Sequence, residues 1–156
     1  MTKFILSICI PTFNRAQYIE QTLKSIIPKI KKNIEIVIYD GASSDNTDEI
    51  IYQYTKKYKN IIFYKAVKNG GVDRDYANCI EMARGKYCWL MSSDDIVPPN
   101  SIEKILDSLK CNSDIYLFNR AECNKKMIPF NYQYWLKSNL ENKLFNIRSR
   151  DDLLLY

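Results

Sequence analysis

The amino-acid sequence predicts an α/β domain with a mainly parallel sheet flanked by helices, and three observations carry that prediction. Short runs of large apolar and β-branched residues recur through the first two-thirds of the chain, each of a length that suits a buried strand. Between them, apolar residues return every three or four positions, the spacing of an amphipathic helix. Polar clusters close several of the strand-like runs, and such strand–helix alternation is the pattern of a parallel sheet.

The elements follow in order. FILSICI (Phe4 to Ile10) reads as the first strand. Asn14, with Gln17 three residues on, has the form of a capping box, and Ile19, Leu23, Ile26, Ile27 and Ile30 then recur at helical spacing until Pro28 ends or kinks the helix. IEIVIY (Ile34 to Tyr39) is the second strand, closed by DGASSDNT. A second helix has Asp45 as its cap and Ile50, Ile51, Tyr54 and Tyr58 on its inner face. IIFYKA is a third strand, NGG a turn, and a helix from about Asp73 to Arg84 leads into a fourth strand that ends in SSDD. Asn100 with Glu103 forms another capping box, ahead of Ile102, Ile105, Leu106 and Leu109 on one helical face, and DIYLFN (Asp114 to Asn119) reads as a fifth strand. The resulting organisation is a core over residues 1–119 and a distinct, weakly patterned region over 120–156.

Composition narrows the function. A chain of 156 residues with 46% apolar residues suits a globular domain with a real core. Net charge is +5, but the lysines are scattered and no basic stripe is interleaved with aromatics, so nucleic acid is not the expected partner. A mildly basic surface is compatible with peripheral association at an anionic membrane. The complete lack of His excludes His-based acid–base catalysis and His-ligated zinc. The five cysteines show no C-x-x-C pair, and Cys9 and Cys88 lie in apolar runs where free thiols behave as small core residues. With no spanning segment or cleavage site near the N-terminus, the expected location is the cytoplasm, including the inner face of the membrane.

In an open parallel sheet, ligands bind outside the carboxyl ends of the strands. Three polar clusters fall there: PTFNR after the first strand, DGASSD after the second and SSDD after the fourth. No G-x-G-x-x-G or P-loop is present to cradle phosphate. A nucleotide groove without a glycine cradle calls for a carboxylate-bound Mg²⁺ or Mn²⁺, whose shell phosphate oxygens complete. That cation would also offset the repulsion between the adjacent carboxylates Asp94 and Asp95.

SICIPTFNRAQYIEQTLKSI, IVIYDGASSDNT and EMARGKYCWLMSSDDIVPP, in this order and spacing, resemble the nucleotide-binding half of family 2 glycosyltransferases with the Rossmann-like GT-A fold; the similarity covers about Ser7 to Leu109. The resemblance implies transfer of a sugar from a nucleotide-diphosphate donor to a glycan or lipid-linked acceptor, with inversion and a divalent cation. It implies that Pro11, Thr12 and Arg15 flank the nucleoside, that Asp40 helps bind the base, and that Asp94 and Asp95 hold ribose and metal. Some positions depart from the family pattern. Gly41 stands where a second acid is commoner, Ser92 where an Asp is commonest, and Asp75, Tyr76 and Ala77 replace an A-R-N triplet, which suggests other donor contacts through Asp73 or Arg74. The family's catalytic base is expected beyond Tyr156; Glu122, Glu141, Asp151 and Asp152 have no context that marks one.

Each position also has a plain structural use. Asp94 and Asp95 could form a water-held turn, Asp40, Asp45 and Asp73 could cap, Thr12 could satisfy its own loop, and Arg15 could be solvated. Two other functions compete: a non-catalytic nucleotide-binding module, and a nucleotidyltransferase, for which PTFNR supplies only one Arg.

Overall fold

The computed structural model describes residues 4–126 and 128–131. Its contacts divide the chain into Met1–Cys111 and Asn112–Tyr156. In the first unit, strands β1 (Phe4–Thr12), β2 (Ile34–Asp40), β3 (Ile61–Lys65) and β4 (Gly85–Leu90) form one sheet in the order β3-β2-β1-β4. All three pairings are parallel. Helices α1 (Ala16–Ile26), α2 (Thr47–Lys57) and α3 (Val72–Met82) connect successive strands, and α4 (Ser101–Ser108) follows β4. The chain steps outward from β1 to β3, then returns to the other side of β1. Right-handed crossovers therefore send α1 and α2 to one face and α3 to the other.

Alternation along the strands fills both faces. Cys9 and Val37 pack with Cys79 of α3, joined by Tyr39, Ile62, Met82 and Ala83. Ile8, Ile10, Ile36 and Ile38 point the other way, and all are fully buried. The register runs from Leu6↔Ile34 to Thr12↔Asp40, so the last residues of β1 and β2 end level with each other.

At the amino end of the sheet, buried Glu35 is fully engaged. Its Oε1 accepts from the Ser7 hydroxyl and the Arg84 N–H, both at 2.7 Å, and its Oε2 from Arg84 Nε and Nη2 at 2.9 and 2.6 Å. The Gly85 N–H donates to Ser7 Oγ at 2.8 Å, and a Cβ on Gly85 would stand 2.7 Å from that oxygen, so only glycine fits.

Several sequence expectations need correction. Asp114–Asn119 forms no strand; Ile115, Leu117 and Phe118 are exposed, and an apolar run becomes a strand only where an edge pairs with it. Among the described residues, the second unit shows instead an antiparallel pair, β5 (Glu122–Cys123) with β6 (Pro129–Asn131). Cys88 is exposed rather than in the core, and Tyr87 and Trp89 are half-buried, because β4 is the sheet's edge strand and alternates. Neither capping box forms: Asn14 and Asn100 both take left-handed φ, at 52° and 63°, and neither side chain caps its helix.

Candidate functional site

The strand order reverses between β1 and β4, and a cleft of about 300 Å³ opens there, at the carboxyl ends of the strands. Pro11 and Thr12 at the end of β1 and Arg15 from the loop after it line it, with Asn69 from the turn before α3, Asp75 and Tyr76 from α3, and Ser92 and Ser93 from the loop after β4.

Side chains hold the loops in place. After β1 and β2 the two loops are laced together: the N–H groups of Asn14, Arg15 and Ala16 donate to Ser43 Oγ (2.8 Å), Thr47 Oγ1 (3.0 Å) and Asp45 Oδ2 (3.1 Å). In return, Asn14 Oδ1 accepts from the Ser44 N–H at 2.9 Å. Asp45 is thus a cap, but for two helices at once, because its Oδ1 also accepts from the Thr47 N–H. Burial pushes its carboxyl up, yet the bonds from Thr47 and Ala16 outweigh that and hold it below the ordinary range. The loop after β4 rests on α1. Thr22 donates to the Ser93 carbonyl at 2.9 Å, Ser25 Oγ accepts from the Val97 N–H at 3.0 Å, and Lys29 Nζ reaches the Val97 carbonyl at 2.6 Å.

Inside this frame, three buried oxygens have no partner among the described residues: Thr12 Oγ1, Asp40 Oδ2 and Asp75 Oδ1. Buried polar groups in native proteins are ordinarily paired, so orphans gathered at one strand end mark a place kept for a ligand. Asp40 is held from one side only; its Oδ1 accepts from the Ser43 N–H and hydroxyl. Burial raises its carboxyl above the ordinary range, and the Ser43 bonds offset only part of that. Burial also pushes Asp75 up, and the neighbouring Asp40 charge pushes the same way. Ala42 takes φ 67°, strain of a kind that concentrates at functional sites.

The acidic pair after β4 lies on a turn. Ser92 donates its hydroxyl to Asp94 Oδ1 and its N–H to Asp95 Oδ2. Asp94 is half-exposed and Asp95 exposed, and Arg15 Nε lies 3.7 Å from Asp94 Oδ2. Among the described residues no group of three or more His, Cys, Asp or Glu side chains could hold a metal unaided. Two exposed carboxylates on one turn do fit Mg²⁺ or Mn²⁺, which leave most of their shell to water and phosphate oxygens.

The first cleft therefore brings Pro11, Thr12 and Arg15 together, and Asp94 lies near Arg15, whereas fully buried Asp40 is not among the residues that line it. Sequence reasoning singled out Asp73 and Arg74 of α3, but both are exposed while Asp75 turns inward. The signal was present in the spacing: Asp75 and Cys79 are four apart, on the helix face that meets the sheet. Of the acids considered for a base, Glu122 belongs to β5, and Glu141, Asp151 and Asp152 lie outside the described residues.

A parallel sheet flanked by helices, with polar orphans at its switch point, defines a Rossmann-like α/β domain. Residues 7–154 match Glycosyl transferase family 2, and the chain belongs to that family. It is 37% identical over 147 residues to the abequosyltransferase RfbV of Salmonella typhimurium, a match covering 91% of this chain and 44% of the relative. It is 30% identical to a poly(ribitol-phosphate) beta-glucosyltransferase of Bacillus spizizenii, over 80% of this chain and 20% of that protein. The chain thus spans less than half the length of these curated relatives. The crystal structure of S. aureus TarS 1-349 in complex with UDP-GlcNAc shares the fold at a TM-score of 0.64 and 24% identity, covering 69% of this chain and 31% of that one. The mannosyltransferase PcManGT from Pyrobaculum calidifontis, in complex with GDP-Man and Mn²⁺, does so at 0.62 and 19%, covering 67% and 32%.

Proposed function

We propose that this chain forms the donor-binding part of a glycosyltransferase that moves a sugar from a nucleotide-diphosphate donor to a glycan or lipid-linked acceptor, with inversion. The observation that carries the proposal is the set of orphaned oxygens on Thr12 and Asp75, which line the switch-point cleft, and on Asp40, level with Thr12 at the end of β2, with the Asp94–Asp95 turn following the adjacent strand. On this reading Pro11 and Thr12 flank the nucleoside, Asp40 accepts a hydrogen bond from the base, and Asp94 serves the ribose. Arg15 draws the diphosphate toward the acidic turn. Asp94 and Asp95 would hold Mn²⁺ or Mg²⁺, which when bound neutralises charge on the leaving diphosphate. A carboxylate must accept the acceptor's proton on the opposite face of the sugar, and none of the residues named above is assigned that role. Among the described residues no helix is long and apolar enough to cross a membrane. A net charge of +5 suits work in the cytoplasm and at the inner membrane face, where a lipid-linked acceptor would lie.

A thermal-shift panel of UDP, GDP, CDP and dTDP, with and without Mn²⁺, tests the proposal. At ~100 times its dissociation constant, the right nucleotide stabilises the fold by roughly 2.7 kcal/mol. Asp94→Asn and Asp95→Asn should abolish the Mn²⁺-dependent part of that shift and leave the unliganded melting point unchanged. No shift with any of the four nucleotides in Mn²⁺ would refute the assignment.

A further inference from the structure

The scatter of lysines along the chain conceals a segregation that the fold makes visible. Between Glu49 and Asp73 stand Lys56, Lys57, Lys59, Lys65 and Lys68, with no acid and no arginine. The chain has 23 basic and 18 acidic residues, so this one stretch accounts for its whole net charge of +5. It comprises most of α2, the turn after it, β3 and the loop before α3. β3 is an outer strand, and among the described residues nothing pairs with its far side. α2 runs back against the strand direction, so Lys56, Lys57 and Lys59 lie at the amino end of this edge. Lys65 and Lys68 lie at its carboxyl end, about 15 Å further on. Lys65 pairs with Asp48 at 2.6 Å; the other four are exposed and make no ion pair among the described residues.

Aromatic rings stand among these cations. Tyr52 meets Phe63 edge to face at 5.7 Å, Tyr54 stacks on Tyr58 at 6.3 Å, and Tyr64 stacks on Tyr39 at 5.3 Å. Tyr52, Tyr58 and Tyr64 are exposed nonetheless, and Val67, next to Lys68, is 98% exposed. Ordinary uses account for part of the set. Lys65 on an edge strand discourages pairing with another sheet, and Lys56 and Lys57 suit the negative end of α2. Those uses leave Lys59 and Lys68 unexplained, along with the exclusion of acids from the whole stretch.

We propose that this edge docks the protein on an anionic phospholipid surface. The ammonium groups meet lipid phosphates, and tyrosines, apolar in body and polar at the tip, suit the headgroup layer. Each lysine near such a surface is worth about fivefold in binding. Nucleic acid is the poorer fit, because the stretch has no arginine to grip phosphate bidentately and its rings are already stacked on one another. A second copy of the same edge would bring like charges together. β3 lies two strands from β1, about 10 Å, so a bilayer along this edge runs beside the cleft and leaves it open. The inference rests on the proposed work at the membrane face and names the surface that performs it; it draws nothing from the nucleotide site.

The experiment is co-sedimentation of the 156-residue chain, without nucleotide, with vesicles of phosphatidylcholine alone and of a three-to-one mixture with phosphatidylglycerol. The chain should bind the mixed vesicles at least about tenfold more tightly than the neutral ones, and lose that preference in about 0.5 M salt. Lys56→Gln/Lys57→Gln/Lys59→Gln should lower binding to the mixed vesicles at least about tenfold. Lys86→Gln/Lys104→Gln/Lys110→Gln removes as much charge from β4, α4 and the turn after it, and should bind as the parent does. Val67→Glu, at a position open to solvent, should weaken binding by about fivefold or more, and it decides the matter if the first triple variant does not fold. Equal affinity for the two kinds of vesicle, or equal losses from the two triple variants, would overturn the proposal. So would a single-stranded oligonucleotide that binds more tightly than the mixed vesicles and loses its hold in the first triple variant, which would reassign the edge to nucleic acid. With no nucleotide in the assay, each of these outcomes leaves the thermal-shift test of the donor site to stand or fall separately.

Discussion

Strand β2 carries a buried acid near each end, and the two could hardly be treated more differently. Glu35, at the amino end, spends both oxygens on Ser7 and Arg84. Asp40, five residues further along the same strand, spends one oxygen on Ser43 and leaves the other bare. Both are fully buried. Burial alone therefore says little about purpose, whereas the completeness of the hydrogen bonding separates a group that holds the fold from one held ready for a ligand. Folds optimised for stability alone would not leave Asp40, Asp75 and Thr12 short of partners.

The largest effect that would sharpen this contrast is expected at the amino end. Arg84→Met removes the cation from a buried carboxylate that cannot move into water. Loss of one partner of a buried pair costs about 3 kcal/mol, toward the low end of its class here because Arg84 is itself half exposed. Urea unfolding should show that loss, while nucleotide affinity of the folded protein stays at the parent value. A change in affinity instead would mean that the two ends of the sheet are not separable.

Asp45→Ala should come next, at about 1–2 kcal/mol, because it uncaps Ala16 and Thr47 together. The Asp45 carboxyl is held below its ordinary range. Its contribution is thus present above the unfolded value near 4 and is lost as pH falls through the lower folded value. Parent and variant stabilities should converge in acid; a gap independent of pH would show that the cap is not electrostatic.

The smallest effect should have the opposite sign. Asp75→Asn replaces a buried, raised carboxyl that faces Asp40 and, on the opposing side, Arg74. A folded value above the unfolded one means that the ionised group costs stability at neutral pH and that this cost vanishes as pH falls toward 4. The variant should therefore equal or exceed the parent by up to about 1 kcal/mol at pH 7, and lose that advantage on acidification. Destabilisation at pH 7 would place Asp75 with Glu35, as part of the scaffold.

The sheet and its first four strands were legible because apolar runs and helical spacing are local signals. So was the location of the cleft, since the carboxyl ends of parallel strands follow from topology. What the sequence did not show depends on distant partners. Asp114–Asn119 has a strand's composition but pairs with no strand among the described residues. The start of α1 was read as self-capped by Asn14, whereas Ser43, Asp45 and Thr47 hold its amides from a loop about thirty residues away in sequence. Asp75 looked like a substitution in a familiar triplet, and only the packing against Gly41 shows where its carboxylate goes.

The lacing between the first two loops has one more consequence. A helix that begins at a strand's carboxyl end commonly offers its leading amides, and the positive end of its dipole, as an anion cradle. In this chain the amides of Asn14, Arg15 and Ala16 are already taken by Ser43, Thr47 and Asp45, and the last of these brings a negative charge to that spot. The start of α1 is closed to phosphate. Under the proposed function, grip on the donor's diphosphate is thereby handed from a fixed part of the fold to a dissociable ion, and occupancy by donor should track the free divalent cation in its surroundings as closely as it tracks the donor itself.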